Sequence, residues 1–369
     1  MTALDIDALI GDPATKIVVT CGSGGVGKTT TAAAIAIRAA DQGRTAAVLT
    51  IDPAKRLAQS LGLLELDNTP RRVETDSAGE LWALMLDTRR TFDDMVSAHS
   101  APDRAAQIFA NPFYQTISTS FSGTQEYMAM EKLGRLSATG QFDLIVVDTP
   151  PSRSALDFLD APQRLSSFLD GRTIKLLTSP GRGVIKVVGV GFSLFAKAVS
   201  TVIGGQMLTD AAQFVQLFED MFGGFRARAE ATYELLRDEG TTFVVVATPE
   251  ADALREASYF ADRLQTEQMP LAGLILNRTH PPFADLSAGR ALAAAEKVNG
   301  SAPLTSAVLR LHAERLTVHE NERRMTARFV RAHPGLPRVT VPAAASDVHD
   351  LAALRLIGDQ LAAGWVAAG

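Results

Sequence analysis

The stretch Cys21-Gly-Ser-Gly-Gly-Val-Gly-Lys-Thr-Thr30 decides how the rest of the chain is read. Gly22, Ser23, Gly24, Gly25, Val26, Gly27, Lys28 and Thr29 follow the G-x-x-x-x-G-K-T pattern of a phosphate-cradling loop. Before it, Lys16 to Thr20 is a short β-branched run of the kind that forms a strand buried on both faces. After it, Thr29 to Ala40 is alanine-rich and favours a helix. Strand, glycine loop and helix is the context the motif requires. The glycines let backbone N–H groups turn onto a phosphate, and the helix N-terminus adds partial positive charge. Lys28 is placed to reach the terminal phosphates, the Thr29 hydroxyl to ligate magnesium, and Thr30 completes the binding run. The alternative is a ligand-free glycine turn, which does not call for the Lys-Thr pair. A nucleotide is expected here.

At 369 residues the chain can bury a substantial core. Its 46% hydrophobic and 21% charged residues are the balance of a soluble globular protein. A net charge of −5 gives no general attraction to nucleic acid or anionic lipid, so no nucleic-acid partner is expected. Cys21 is the single cysteine, which leaves no disulfide framework and no cysteine-based zinc site within one chain. Met1-Thr-Ala-Leu-Asp-Ile-Asp7 lacks the basic and apolar regions of a signal peptide, and no run of about eighteen apolar residues is free of charge. A cytoplasmic location is the expectation.

Strand-like runs alternate with helical ones. Thr45 to Ile51, Leu81 to Leu86, Leu144 to Asp148, Thr242 to Ala247, Leu271 to Leu276 and Arg338 to Val341 read as strands. Residues 88 to 138 read as mainly helical, broken near Ser100-Ala-Pro and Asn111-Pro. Further helices are expected around Asp252 to Gln265, up to Ala332, and over Val348 to Ala362. This alternation predicts an α/β fold, a mainly parallel sheet with helices on both faces. Residues 1–369 then form a single phosphate-loop domain, with a helical subdomain made from 88–138 and 162–238 inserted in it.

Three positions fall at predicted strand ends, where such a sheet places its ligand. Asp148, followed by Thr149-Pro150-Pro151, suits a carboxylate that holds magnesium through water, or a cap for a helix beginning near Ser152. Asp52 is placed to orient the attacking water or to touch the metal, yet Asp-Pro is also an N-cap with a first-turn proline. Asn277 ends the sixth predicted strand and reads either a base edge or a turn.

Cys21 to Thr30, Leu49 to Leu57, Phe142 to Leu159, Leu274 to Arg278 and Val341 to Leu354 occur in the order seen in the arsenite-pump and tail-anchored-protein-targeting ATPases. The chain resembles the branch of that family known from actinobacteria as anion-transporting ATPases. The resemblance implies ATP and Mg2+ as cofactors, with Asp52 positioning the hydrolytic water and Asp148 near magnesium. It implies that Asn277 contacts the adenine and that Pro342, Ala343 and the residues up to Ala345 close over it. It also implies a dimer that ATP closes and hydrolysis opens.

The departures are as informative. Ser23 stands where the family carries a lysine that reaches across the dimer to the partner's phosphates. A serine is too short and uncharged for that contact. The resulting expectation is a heterodimer with a paralogous ATPase subunit that retains the lysine, rather than a homodimer. Lys55 and Arg56 replace the family's histidine and asparagine after Asp-Pro-Ala. The paired zinc cysteines and arsenite-sensing cysteines of relatives are absent.

Val184 to Ile203 is strongly apolar, and as a helix would gather Lys186, Ser193, Lys197 and Ser200 on one stripe. In the targeting relatives such a region forms a groove for a hydrophobic client segment of a membrane protein; packing on the chain itself or its partner is the other reading. The arginine-rich run Leu304 to Arg331 reads as a solvated face, and the six histidines as surface or structural. Three functions follow: an ATPase whose dimer closure drives another process, a small-molecule kinase or ligase, and a nucleotide-gated regulatory scaffold with weak or no ATPase activity of its own. Asn277-Arg-Thr-His280 is not a guanine reader, and cluster cysteines for electron transfer are missing.

Overall fold

The computed structural model describes residues 3–52, 56–120, 124–150 and 205–364. They form two units: residues 3–85, 140–150 and 236–364, and residues 86–139 and 205–235. The strands are β1 (Ile17–Cys21), β2 (Thr45–Thr50), β3 (Arg71–Val73), β4 (Glu80–Met85), β5 (Leu144–Asp148), β6 (Thr241–Ala247), β7 (Leu271–Thr279) and β8 (Arg338–Pro342). The described helices are α1 (Ile6–Gly11), α2 (Lys28–Asp41), α3 (Arg56–Ser60), α4 (Thr88–His99), α5 (Pro102–Ala110), α6 (Pro112–Ser120), α7 (Thr124–Ala138), α8 (Gly205–Arg237), α9 (Ala251–Thr266), α10 (Ala288–Val298), α11 (Pro303–Ala332) and α12 (Leu351–Ala362).

In the first unit the eight strands form one sheet in the order β3-β4-β2-β5-β1-β6-β7-β8. Every neighbouring pair is parallel except β3 with β4. β1, β5 and β6 are buried at each position, as β-branched runs must be when both faces are covered. Alanines let α2 approach closely, so that Ala32, Ala33, Ala34, Ala36, Ala39 and Ala40 are all buried. Arg38 on α2 pairs with Asp7 of α1 and, at 2.8 Å, with Asp359 of α12. The Arg44 guanidinium donates to the carbonyls of Ile10 and Thr15, both at 2.7 Å, and closes the end of the sheet opposite the phosphate loop.

In the second unit, Phe92, Tyr114, Phe214 and Phe218 make an aromatic core, with ring centroids 5.1 Å apart for Phe92–Tyr114 and 4.7 Å for Phe214–Phe218. Asn111 explains the break before α6: its Oδ1 accepts the N–H groups of Phe113 and Tyr114, and its Nδ2 donates to the Asp210 carbonyl at 2.9 Å. Glu131 is buried and receives Arg228 Nε at 3.0 Å. Among the described residues no helix is long and apolar enough to cross a membrane.

Four sequence readings change. α1 and β3 were not expected; both are short, and Arg71-Arg72 hides β3 as a polar edge strand. β7 does not end at Asn277 but runs to Thr279, because its pairing with β8 shifts between Leu276 and Thr279 and then resumes. The closing helix starts at Leu351, where Asp350 caps it through the Ala353 N–H. The charged face of α11 is not wholly solvated. Glu322 is 8% exposed and binds His280 at 2.6 Å, while Arg315 lies 4.1 Å from the Phe283 ring centre. Residues 53–55 and 151–204, including the apolar run 184–203, lie outside the described residues, as does the Arg56 side chain.

Candidate functional site

Parallel strands bring their C-terminal ends to one edge, and β5 carries Asp148 there between its register partners Thr20 on β1 and Thr50 on β2. The chain leaves β1 through Gly22, whose φ is 149°. A Cβ at Gly22 would lie 2.1 Å from the Val246 carbonyl oxygen, so only glycine lets the loop pass β6 this closely. Gly27, at φ 95°, is the N-cap of α2, and no side chain caps the helix. The first-turn N–H groups of Lys28, Thr29 and Thr30 therefore point out of the helix end, where an anion can accept them.

Lys28 is 5% exposed and donates from Nζ to the Ser23 carbonyl at 2.8 Å, which folds the loop around its own ammonium. Burial lowers its pKa below the usual lysine range, and the charge of Asp148 opposes that shift. Asp148 is fully buried. Its Oδ2 accepts the hydroxyls of Thr29 at 2.8 Å and Thr50 at 2.9 Å, while its Oδ1 has no hydrogen-bond partner. Burial raises its pKa to about 6, against the lowering effect of the two hydroxyls and Lys28. Asp52 is half-buried, and its N–H donates to Thr50 Oγ1 at 3.2 Å. Thr149 ties β5 back to the Thr20 carbonyl at 2.8 Å. Cys21 is buried, which pushes its thiol up to about 12 and keeps it unreactive.

Lys28, Thr29, Asp52 and Thr149 border a cleft of about 1030 Å3, ample for a nucleoside triphosphate. Gly25, Gly27, Lys28, Thr29, Thr30, Asp52, Asn277, Pro342 and Ala343 all line it. Gly22 and Val26 are buried behind the loop, Ser23 is half-buried, Gly24 is exposed, and Asp148 lies beneath Thr29. The cleft also takes in Gln59, Ser60, Thr149, Arg278, Ser346 and His349, which the sequence reading did not select. Arg278 beside Asn277, Thr149 beside Asp148, and Ser346 and His349 just after Ala345 each had one signal, their place next to a selected residue or stretch; Gln59 and Ser60 become neighbours only through the fold. The residues that decide whether Asp52 or Asp148 caps a following helix fall outside the described set.

Magnesium fits this donor set. A buried carboxylate oxygen with no partner calls for a water or an ion, and Thr29 and Asp148 supply hard oxygen atoms. Among the described residues no cluster of three or more His, Cys, Asp or Glu forms a metal cage. Magnesium held by one or two protein oxygens and by phosphates does not need one.

A glycine loop between the central parallel strand and an uncapped helix, with a carboxylate at the adjacent strand end, defines a phosphate-loop nucleotide-binding protein. The sequence profile of the anion-transporting ATPases matches residues 15–297, and the chain belongs to that family. It is 26% identical to the ATPase GET3B of Arabidopsis thaliana, over 76% of this chain and 68% of the relative. It is 25% identical to the ATPase GET3 of Ajellomyces dermatitidis, over 72% and 73% of the two chains. The ATPase GET3 of Rhodotorula glutinis is likewise 25% identical, over 75% and 74%. The chain is an ATPase of this general type.

Proposed function

We propose that the chain binds ATP with magnesium in this cleft and hydrolyses it to drive the opening and closing of a dimer. The observation that carries the reading is the Thr29 hydroxyl on Asp148 at 2.8 Å, beside an unpartnered Asp148 Oδ1, at the foot of the phosphate loop. Lys28 and the first-turn amides hold the β- and γ-phosphates, and the developing negative charge is spread over donors already in place. Thr29 and Asp148 would hold magnesium, which when bound would neutralise phosphate charge. Asp52, on the cleft wall, orients the attacking water and adds a second acid near the metal. Asn277, Pro342 and Ala343 receive the adenine.

Residues 1–369 act as one ATPase domain with the helical insert of 88–138 and 162–238. Ser23 supplies no charge to a facing site, which supports a heterodimer with a lysine-bearing paralogue over a homodimer. The same serine supports a second reading, a nucleotide-gated subunit with little hydrolysis of its own. The apolar composition of 184–203 supports a hydrophobic client segment or membrane-protein partner, and the net charge of −5 and single cysteine fit a cytoplasmic protein without a nucleic-acid partner. Calorimetric titration with magnesium and ATP tests the site. Binding that disappears in Lys28→Ala is the expected result; no heat from the wild type, or unaltered binding in the variant, refutes it.

A further inference from the structure

Asn277 sits at the irregularity of β7, and Arg278 after it holds a left-handed φ of 57°. A non-glycine residue stays there only where its surroundings hold it. Here the Thr279 carbonyl accepts the Ala343 N–H at 2.9 Å, the His280 N–H donates to Glu322 Oε2 at 2.9 Å, and the Arg278 N–H donates to Asn277 Oδ1 at 2.9 Å. The kink sends the Asn277 side chain across to the phosphate loop, where Nδ2 donates to the Val26 carbonyl at 2.8 Å. The amide has one possible orientation, since a backbone carbonyl only accepts and a backbone N–H only donates. Asn277 is 9% and Val26 2% exposed, so water does not substitute for this bond. A Cβ on Gly27 would lie 2.3 Å from the same Nδ2, so the amide occupies the space a side chain would take at the N-cap of α2.

We infer that Asn277 is a positioning residue for phosphate binding: through the Val26 carbonyl it holds the phosphate loop in its ligand-ready shape, independently of the base. This rests on the nucleotide site proposed above. An asparagine amide has two N–H donors and an oxygen that accepts twice, and two of these four capacities are used by Val26 and Arg278. One N–H and one lone pair remain for a base edge, so the same side chain couples the base side of the cleft to the phosphate side. Without it the buried Val26 carbonyl loses its partner and the ligand itself must order the loop.

The test compares magnesium-ATP with magnesium tripolyphosphate, which carries the phosphates and no base, on wild type and Asn277→Leu. Leucine keeps the volume and adds no charge beside the phosphates. The wild type binds both ligands. The variant loses about tenfold in affinity for tripolyphosphate, the worth of one hydrogen bond, and at least as much for ATP, with a melting temperature within a few degrees of wild type. Tripolyphosphate affinity unchanged while ATP affinity falls makes Asn277 a base reader alone and overturns the inference. So does a wild type that binds ATP but no tripolyphosphate, because a loop held ready by Asn277 does not depend on the base. A wild type that binds neither refutes the nucleotide site itself, and the inference falls with it. Asn277→Ala carries the same comparison if the leucine variant does not fold.

Discussion

Replacing Asp148 with asparagine gives the most direct reading of the site's electrostatics. The carboxyl is fully buried, and its pKa is raised to about 6 by that burial. In an unfolded chain an aspartate titrates near 3.9. Between about pH 4 and pH 6 the folded chain therefore keeps a proton that the unfolded chain has lost. The stability this group contributes is complete below about pH 4 and is lost as pH rises through 6. The slope is about 1.4 kcal/mol per pH unit, so the total is on the order of 3 kcal/mol, of which about 2 kcal/mol falls between pH 4.5 and 7.5. Asparagine still accepts the Thr29 and Thr50 hydroxyls and never ionises. The stability of Asp148→Asn relative to wild type should thus rise by about 2 kcal/mol between pH 4.5 and 7.5. Urea unfolding in chelator-containing buffer, followed by Trp82 fluorescence in a Trp365→Phe background, reports on the unit that holds the site. Parallel stability curves for the two proteins would refute the account of a carboxylate whose burial outweighs its hydroxyl donors and Lys28. In the same variant the magnesium-dependent part of ATP binding should vanish.

Gly22→Ala should destabilise the fold by about 3 kcal/mol, because it combines a positive φ of 149° with a Cβ 2.1 Å from the Val246 oxygen; denaturant unfolding checks it, and a loss under about 1 kcal/mol contradicts the close approach. Asp52→Asn should lower single-turnover phosphate release about 100-fold or more while ATP affinity stays within a few-fold, as befits a residue that orients water; a parallel loss of affinity would make it a binding group. Ser23→Lys should raise hydrolysis by the lone chain about 100-fold if a missing lysine is what limits it. Unchanged turnover would favour the regulatory subunit.

The phosphate loop was legible because its chemistry needs a contiguous run. Glycines for the turn, Lys28 as the proposed phosphate contact and Thr29 as the proposed metal ligand stand within eight positions of one another, between an apolar strand and an alanine helix. Asp148 was legible for a related reason: a lone acid closing four buried apolar positions has to lie at the end of a sheet strand. The parallel α/β architecture followed from the same alternation of periods. Two short elements, α1 and β3, escaped because six and three residues carry too little pattern.

Only the tertiary structure decided what these groups do to one another. Asn277 and Val26 are 251 positions apart, and no local pattern records that the amide of one carries the carbonyl of the other. The burial of Glu322 against His280 depends on a loop folding back over a helix 42 positions away. The unpartnered oxygen and raised pKa of Asp148 depend on how many neighbours exclude water, a property of the packed sheet and not of the residue. Residue type and spacing set which chemistry is available; distance and desolvation, which exist only once remote strands are paired, set its strength.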